Sequence, residues 1–129
     1  LVTYEKIKNN QNNNIHHARS FGSIFSMPLS PSYLIRALKL MKNFEILIAH
    51  TPFPYANIIL LFVKKEKKKV IFWHADIIKN KLIKFIIDKL VNLSLEKADA
   101  IIVGHEKIIE TNKYLKKHIQ KSYFYLVKI

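Results

Sequence analysis

The heptapeptide VIFWHAD, residues 70 to 76, is an apolar, β-prone run that closes on a histidine and then a carboxylate. The same shape occurs twice more, in EILIAHTP at 45–52 and in AIIVGHE at 100–106. Each run is too short for a helix, rich in Ile and bounded by polar or turn residues, which is the pattern of a buried strand. Between them lie segments of helical length: YANIILLFVKK at 55–65 and an amphipathic stretch from about Ile78 to Lys97. A third helix is expected in EKIIETNKYLKKH (106–118) and a fourth strand in KSYFYLV (121–127). Such alternation, with continuously apolar strands, indicates an α/β fold: a Rossmann-like parallel sheet flanked by helices and buried on both faces. In a sheet built from right-handed βαβ units every strand ends on the same edge. His50, His74 and His105 therefore belong to one rim, on the side where open α/β sheets hold ligands.

Working outward to the N-terminus, LVTYEKIK and NIHHARS read as short β-like runs on either side of a polar loop, NNQNNN at 9–14. Gly22, Pro28 and Pro31 punctuate the next segment, FGSIFSMPLSPS (21–32). Ser30 stands where a helix N-cap belongs and Pro31 at the first helical position, with Leu34, Leu38 and Met41 on one face of the helix that follows.

Composition narrows the chemistry. The 129 residues suit one domain, and half are apolar, enough for a core. There is no cysteine, which removes disulfides, thiolate metal sites and cysteine nucleophiles together. Gly22 and Gly104 are the only glycines, so neither G-x-G-x-x-G nor a P-loop can be written, and no G-x-S-x-G elbow occurs. The formal charge is +13, yet 20 of the 22 basic residues are Lys. Sites that fork onto phosphate or guanine favour Arg. Ile, Lys and Asn make up 50 of the 129 residues, a bias resembling A/T-rich coding preference. The charge thus leaves two readings open: a compositional bias spread over the surface, and attraction to an anionic lipid surface or substrate. KKEKKK (64–69) reads as a charged loop before a strand. The 78–97 helix is expected to bury Leu82, Phe85, Ile86, Leu90 and Leu93, with Ile83 and Ile87, and to turn Lys79, Lys81, Lys84 and Lys89 outward. That face suits solvent or anionic lipid. Its lysines and Asp88 keep KNKLIKFIIDKLVNLSL from being a membrane span. No basic-then-apolar signal pattern opens the chain, and a start at Leu1 inside an apparent strand is expected of a fragment.

Among the rim residues His74 is the sharpest candidate. It follows Trp73 at a strand end with Asp76 two residues on, placed to donate to a sugar or phosphate oxygen or to share a proton with Asp76. The alternative is a histidine that only closes a strand. His105 is the weaker candidate: beside Glu106 at a helix start it reads more simply as a solvated residue. No metal site is expected: the three histidines come from separate strands about 5 Å apart, no H-x-x-x-H or H-E-x-x-H spacing occurs, and adjacent His16 and His17 point to opposite strand faces.

Four blocks, in order, resemble the N-terminal, acceptor-side domain of retaining GT-B glycosyltransferases of family 4, among them rhamnosyl and mannosyl transferases. They are FSMPLSPSYL; FEILIAHTPFPYAN, similar to that family's strand and H-x-P-x-P turn; VIFWHADIIKNKL, similar to its W-H-S-D-I segment; and LEKADAIIVGHEKIIETNKYL, similar to its A-D-x-I-I-V-x-S strand and helix. The resemblance they carry extends over nearly everything from about residue 15 to 121, in the family's order. The resemblance implies transfer of a sugar, with retention, from a nucleotide-sugar donor to a glycan or lipid-linked acceptor. It implies no metal or resident cofactor, no specific nucleic acid, and a cytoplasmic location with peripheral contact at the inner, anionic face of the membrane. It carries a catalytic role near the transferred sugar onto His74, and substrate contacts onto His50, Pro52, Pro54 and Asp76. His105 is kept as a substrate-binding candidate for its place on the rim. The departures are Ala75 for the usual Ser, GHE where the family has a Ser, and YLVKI where I-P-x-G-I is expected. On this reading residues 1–129 form a partial acceptor-side domain, without the family's glycine-bearing first strand or its donor-binding C-terminal domain, and inactive alone. Two other readings stay open, a non-enzymatic basic module that binds nucleic acid or an anionic surface, and an inactive truncated remnant.

Overall fold

The computed structural model describes residues 2–3, 16–24, 27–51, 53–74 and 81–124. The chain divides into two compact units, Leu1–Asn43 and Phe44–Ile129. The NNQNNN stretch lies outside the described residues.

In the first unit β1 (Val2–Thr3) pairs in parallel with β2 (His16–His17). An antiparallel pair follows, β3 (Ser23–Ile24) with β4 (Met27–Pro28). It is extended by hydrogen bonds from Phe21 N–H to the Leu29 carbonyl (2.9 Å) and from Leu29 N–H to the Gly22 carbonyl (2.8 Å). Gly22 takes a φ of 128° there, a value side chains with a Cβ avoid. Helix α1 (Pro31–Leu40) runs on into a 3-10 turn over Met41–Asn43. Pro31 opens it, as its fixed φ favours. Ser30 holds the N-cap position without capping: its hydroxyl donates to the Arg19 carbonyl at 2.6 Å. The buried residue of α1 is Ala37, while Leu34, Leu38 and Met41 are half-buried.

The second unit carries the sheet. Strands β5 (Ile46–Thr51), β6 (Lys68–Trp73), β7 (Ala100–Val103) and β8 (Ser122–Phe124) lie side by side in that order, all parallel. They are joined by α2 (Pro54–Phe62), α3 (Lys81–Lys97) and the pair α4 (Glu106–Thr111) and α5 (Lys113–Lys117). The register sets Thr51 beside Trp73 and Trp73 beside Val103, so the carboxyl ends of the strands line up. The α/β, Rossmann-like architecture read from the sequence is present.

The sheet is not buried on both faces. Ala49, Thr51, Ile71, Trp73, Ile101 and Val103 point to the side filled by Leu60 of α2 and Leu95 of α3, and all are buried. The alternate residues of β5 are open, with Ile46 59 % and Ile48 54 % exposed. A strand order that never reverses, with crossovers of one hand, brings the connecting helices to the same face.

Three local expectations also change. Helix α3 matches only part of the face drawn above: Ile87 is inside and Lys89 exposed as expected, and Leu90 and Lys84 are half-buried. Phe85, Ile86 and Leu93 are exposed, however, while Val91, Ser94 and Leu95 are inside. Lys79 and the side chains of Lys81, Leu82 and Ile83 lie outside what is described. Residues 106–118 form two helices rather than one. Asn112 adopts an extended conformation between them, and its side-chain oxygen accepts from the N–H groups of Tyr114 (2.9 Å) and Leu115 (3.2 Å), starting α5 afresh. Lys68 and Lys69 of the lysine run belong to β6, and Lys69 is buried. Its ammonium lies 3.4 Å from Asp99, whose carboxylate also accepts from the Lys69 N–H at 2.8 Å. That backbone N–H is the main reason the Asp99 carboxyl is held below its usual range. Other lysines close helix ends, where carbonyls lack partners. Lys97 donates to the Leu61 carbonyl (2.9 Å) and Lys121 to the carbonyls of Glu96 (3.0 Å) and Ala98 (3.1 Å). Part of the basic charge is therefore structural. No helix among the described residues is long and apolar enough to cross a membrane.

Candidate functional site

Period-two alternation along β5 decides where its histidine points. Ala49 and Thr51 are buried against the helices, so Ile46, Ile48 and His50 occupy the open face. On β6 the same rule places Phe72 opposite Trp73, and His74, one residue past the strand, returns to the Phe72 side. The His74 N–H continues the ladder by donating to the Thr51 carbonyl at 3.0 Å, which fixes its backbone.

The two imidazoles meet. His50 Nδ1 lies 2.7 Å from His74 Nε2, with the rings stacked at 5.0 Å between centroids and 18° between planes. Phe72 supports both, at 5.4 Å from the His50 ring and 4.7 Å from the His74 ring. His50 is pushed below the ordinary histidine pKa, first by its partial burial and then by the neighbouring charge of His74. The contact itself constrains protonation. In the neutral pair one inner nitrogen donates and the other accepts, so of the outer nitrogens, His50 Nε2 and His74 Nδ1, one accepts and one donates. One added proton makes both outer nitrogens donors. A second leaves no lone pair for the inner contact. A neutral pair thus matches a hydroxyl, which both gives and takes a hydrogen bond, and a singly protonated pair matches an oxyanion.

The other candidates take separate places. His105 is the N-cap of α4, its Nδ1 accepting from the Lys107 N–H at 3.1 Å, and it is not in the imidazole pair. Pro54 is among the first residues of α2, where a missing N–H costs nothing. Pro52 and Asp76 lie outside the described residues. No group of three His, Cys, Asp or Glu able to hold a metal ion occurs among the described residues.

Two kinds of residue escaped the sequence reading. Phe72 was legible in principle, since it stands two before His74 and so shares its face. The second is a buried polar cluster on the helix side. Thr51 donates to Asn57 Oδ1 at 3.2 Å, both residues being buried, while Asn57 Nδ2 and the Trp73 indole N–H have no hydrogen-bond partner among the described residues. Asn57 was announced by its isolation in the apolar stretch YANIILLF.

No family model matches the chain, and no solved structure matches it. A curated relative does. The chain is 26 % identical over 99 residues to the O-antigen chain mannosyltransferase C of Escherichia coli, an alignment that takes in 77 % of this chain and 27 % of that protein. The chain is similar over three quarters of its length to a mannosyltransferase, and the match spans about a quarter of that relative.

Proposed function

We propose that the chain is the acceptor-side, Rossmann-like portion of a GT-B glycosyltransferase of family 4. It would move a sugar, with retention, from a nucleotide-sugar donor to a glycan or lipid-linked acceptor on the cytoplasmic side of a membrane. The observation that carries the reading is the His50–His74 pair, joined at 2.7 Å on the rim where the strands end, in a chain similar to a mannosyltransferase. In such a transfer the bond from the anomeric carbon to a phosphate oxygen breaks, a bond to an acceptor hydroxyl oxygen forms, and the hydroxyl proton passes to the departing phosphate. Positive charge grows on the sugar ring and negative charge on the departing phosphate. His74 is assigned a hydrogen bond to a sugar or phosphate oxygen at that stage. His50 holds its ring and governs whether the pair offers two donors or a donor and an acceptor. Pro52, Pro54, Asp76 and His105 are assigned to the walls of the same cleft. The nucleotide sugar is a substrate, and the reading calls for no resident metal or cofactor.

The test is sugar transfer by the full-length protein. His74→Ala is expected to lower kcat on the order of a hundredfold, the scale for removing a donor to developing charge. Unchanged kinetics would remove His74 from the reaction. Chelating agents are expected to leave the rate unaltered. Residues 1–129 alone, given an activated donor, are expected to show no turnover because one wall of the cleft carries too few groups for the charge that develops.

A further inference from the structure

We infer that Asn57 is a positioning residue for the imidazole pair and acts on it through Thr51. Asn57 is the fourth residue of α2 and is fully buried, an unfavourable place for a primary amide in the apolar run YANIILLF. Its Oδ1 accepts from the Thr51 hydroxyl at 3.2 Å, while its Nδ2 has no hydrogen-bond partner among the described residues. Stability alone does not call for such a contact, because two apolar side chains of the same shape serve a buried position about as well. What the contact fixes is the end of a strand. Thr51 is the last residue of β5, and its carbonyl accepts the His74 N–H at 3.0 Å, one residue beyond the end of β6.

Thr51 is thus tied in two directions. Its hydroxyl reaches α2 across the inner layer, and its main chain follows His50 directly and carries the hydrogen bond from His74. The pleat separates the side chains of residues 50 and 51, but one backbone sets both. His50 and His74 are exposed, and His74 comes after the last ladder pair, Thr51 with Trp73. Ends of elements in such a place open at little cost in free energy. The 2.7 Å contact between His50 Nδ1 and His74 Nε2 tolerates little opening, since a displacement of about 1 Å takes two nitrogens out of hydrogen-bonding range. Phe72 supports the two rings from the open face, at 5.4 Å and 4.7 Å, and Asn57 holds the backbone beneath them from the other. The positioning role follows from these contacts and does not depend on sugar transfer.

NMR of the full natural chain tests it with Asn57→Leu, Thr51→Val, the two combined, and Thr51→Ser, which keeps the hydroxyl. Each of the first two strands one polar partner and should lower thermal stability; the double substitution removes both partners and should recover most of the loss. Recovery is not expected at the rim. In the double variant His50 should titrate closer to 6.5 than in the parent, because burial and the neighbouring His74 charge, which lower it, both relax. The His74 amide should exchange with solvent at least about threefold faster. Thr51→Ser should keep the parental titration and exchange. Parental values in the double variant overturn the inference and leave the contact a matter of packing, as does Thr51→Ser behaving like Thr51→Val. One further measurement rests on the proposed sugar transfer: in the full-length protein the double substitution should lower kcat about three- to tenfold with KM within about twofold. A shifted titration with unchanged kcat would sink that reading while supporting the positioning role.

Discussion

Residues 50 and 51 are neighbours on one strand and each makes a polar contact, but on opposite faces of the sheet. Thr51 reaches Asn57 inside the layer between sheet and helices, where both are buried. His50 reaches His74 on the open face, where both are exposed. The inner contact lives in a low-dielectric setting, where a lost partner leaves a stranded dipole. The outer one can exchange its partners for water or a ligand at little cost. One face therefore holds the fold together, and the other is free to carry chemistry, with the pleat keeping the two apart.

The sharpest way to break that division is to cut the same side chain on both faces. Ile71→Ala, at a fully buried position on β6, should cost about 2–5 kcal/mol. Ile48→Ala, on the open side of β5, should cost less than about 1 kcal/mol, because little area leaves contact with protein. Urea unfolding of both variants reads the difference. Equal losses would mean that the open face is packed as tightly as the inner one. Next in size is Thr51→Val, which removes the donor to Asn57 Oδ1 on a buried amide whose Nδ2 already lacks a partner among the described residues. A loss of about 1–3 kcal/mol is expected. His50→Ala, one residue away, should change stability by no more than about 0.5 kcal/mol while altering the His74 ring.

The sheet and its rim were legible because three runs repeat one pattern, an apolar strand stopped by a histidine. Which face lay open was not. Ile46 and Ile48 are as apolar as Ile71 and Ile101, and hydropathy is silent on which side the crossovers place their helices. The same limit misplaced part of α3: its apolar residues run all the way round, so Phe85 and Ile86 looked as fit for the core as Ile87. Strand order chose between them. The His50–His74 contact was legible only as proximity. Its bond follows from the offset of His74 one residue beyond β6, a register detail no spacing reports. The break at Asn112 and the cap by His105 could have been read, since both residues are good acceptors placed two residues before an N–H they bind.

The finest probe of the comparison is pH. His50 has a folded-state pKa below its ordinary value of 6.5, so between those two values the unfolded chain binds the proton more readily. The stability tied to this group is therefore complete above about pH 6.5. It shrinks as pH falls through the window below that value and levels off under the folded pKa. His118 is lowered too, by burial and then by Lys121 and Lys117, and contributes with the same sign in the same range. Asp99 acts elsewhere, its share being lost only as pH falls below the ordinary carboxylate value of 3.8. A His118→Gln background therefore isolates the imidazole pair, and Asp99→Asn should leave the slope between neutral and mildly acid pH as it was. In that background, NMR titration should place His50 below 6.5. Adding His74→Ala should raise it, because the substitution removes a neighbouring charge and opens the ring to water. If His50 titrates at its ordinary value with His74 present, the two rings do not share a proton in solution. The open face would then hold two independent imidazoles instead of one coupled site.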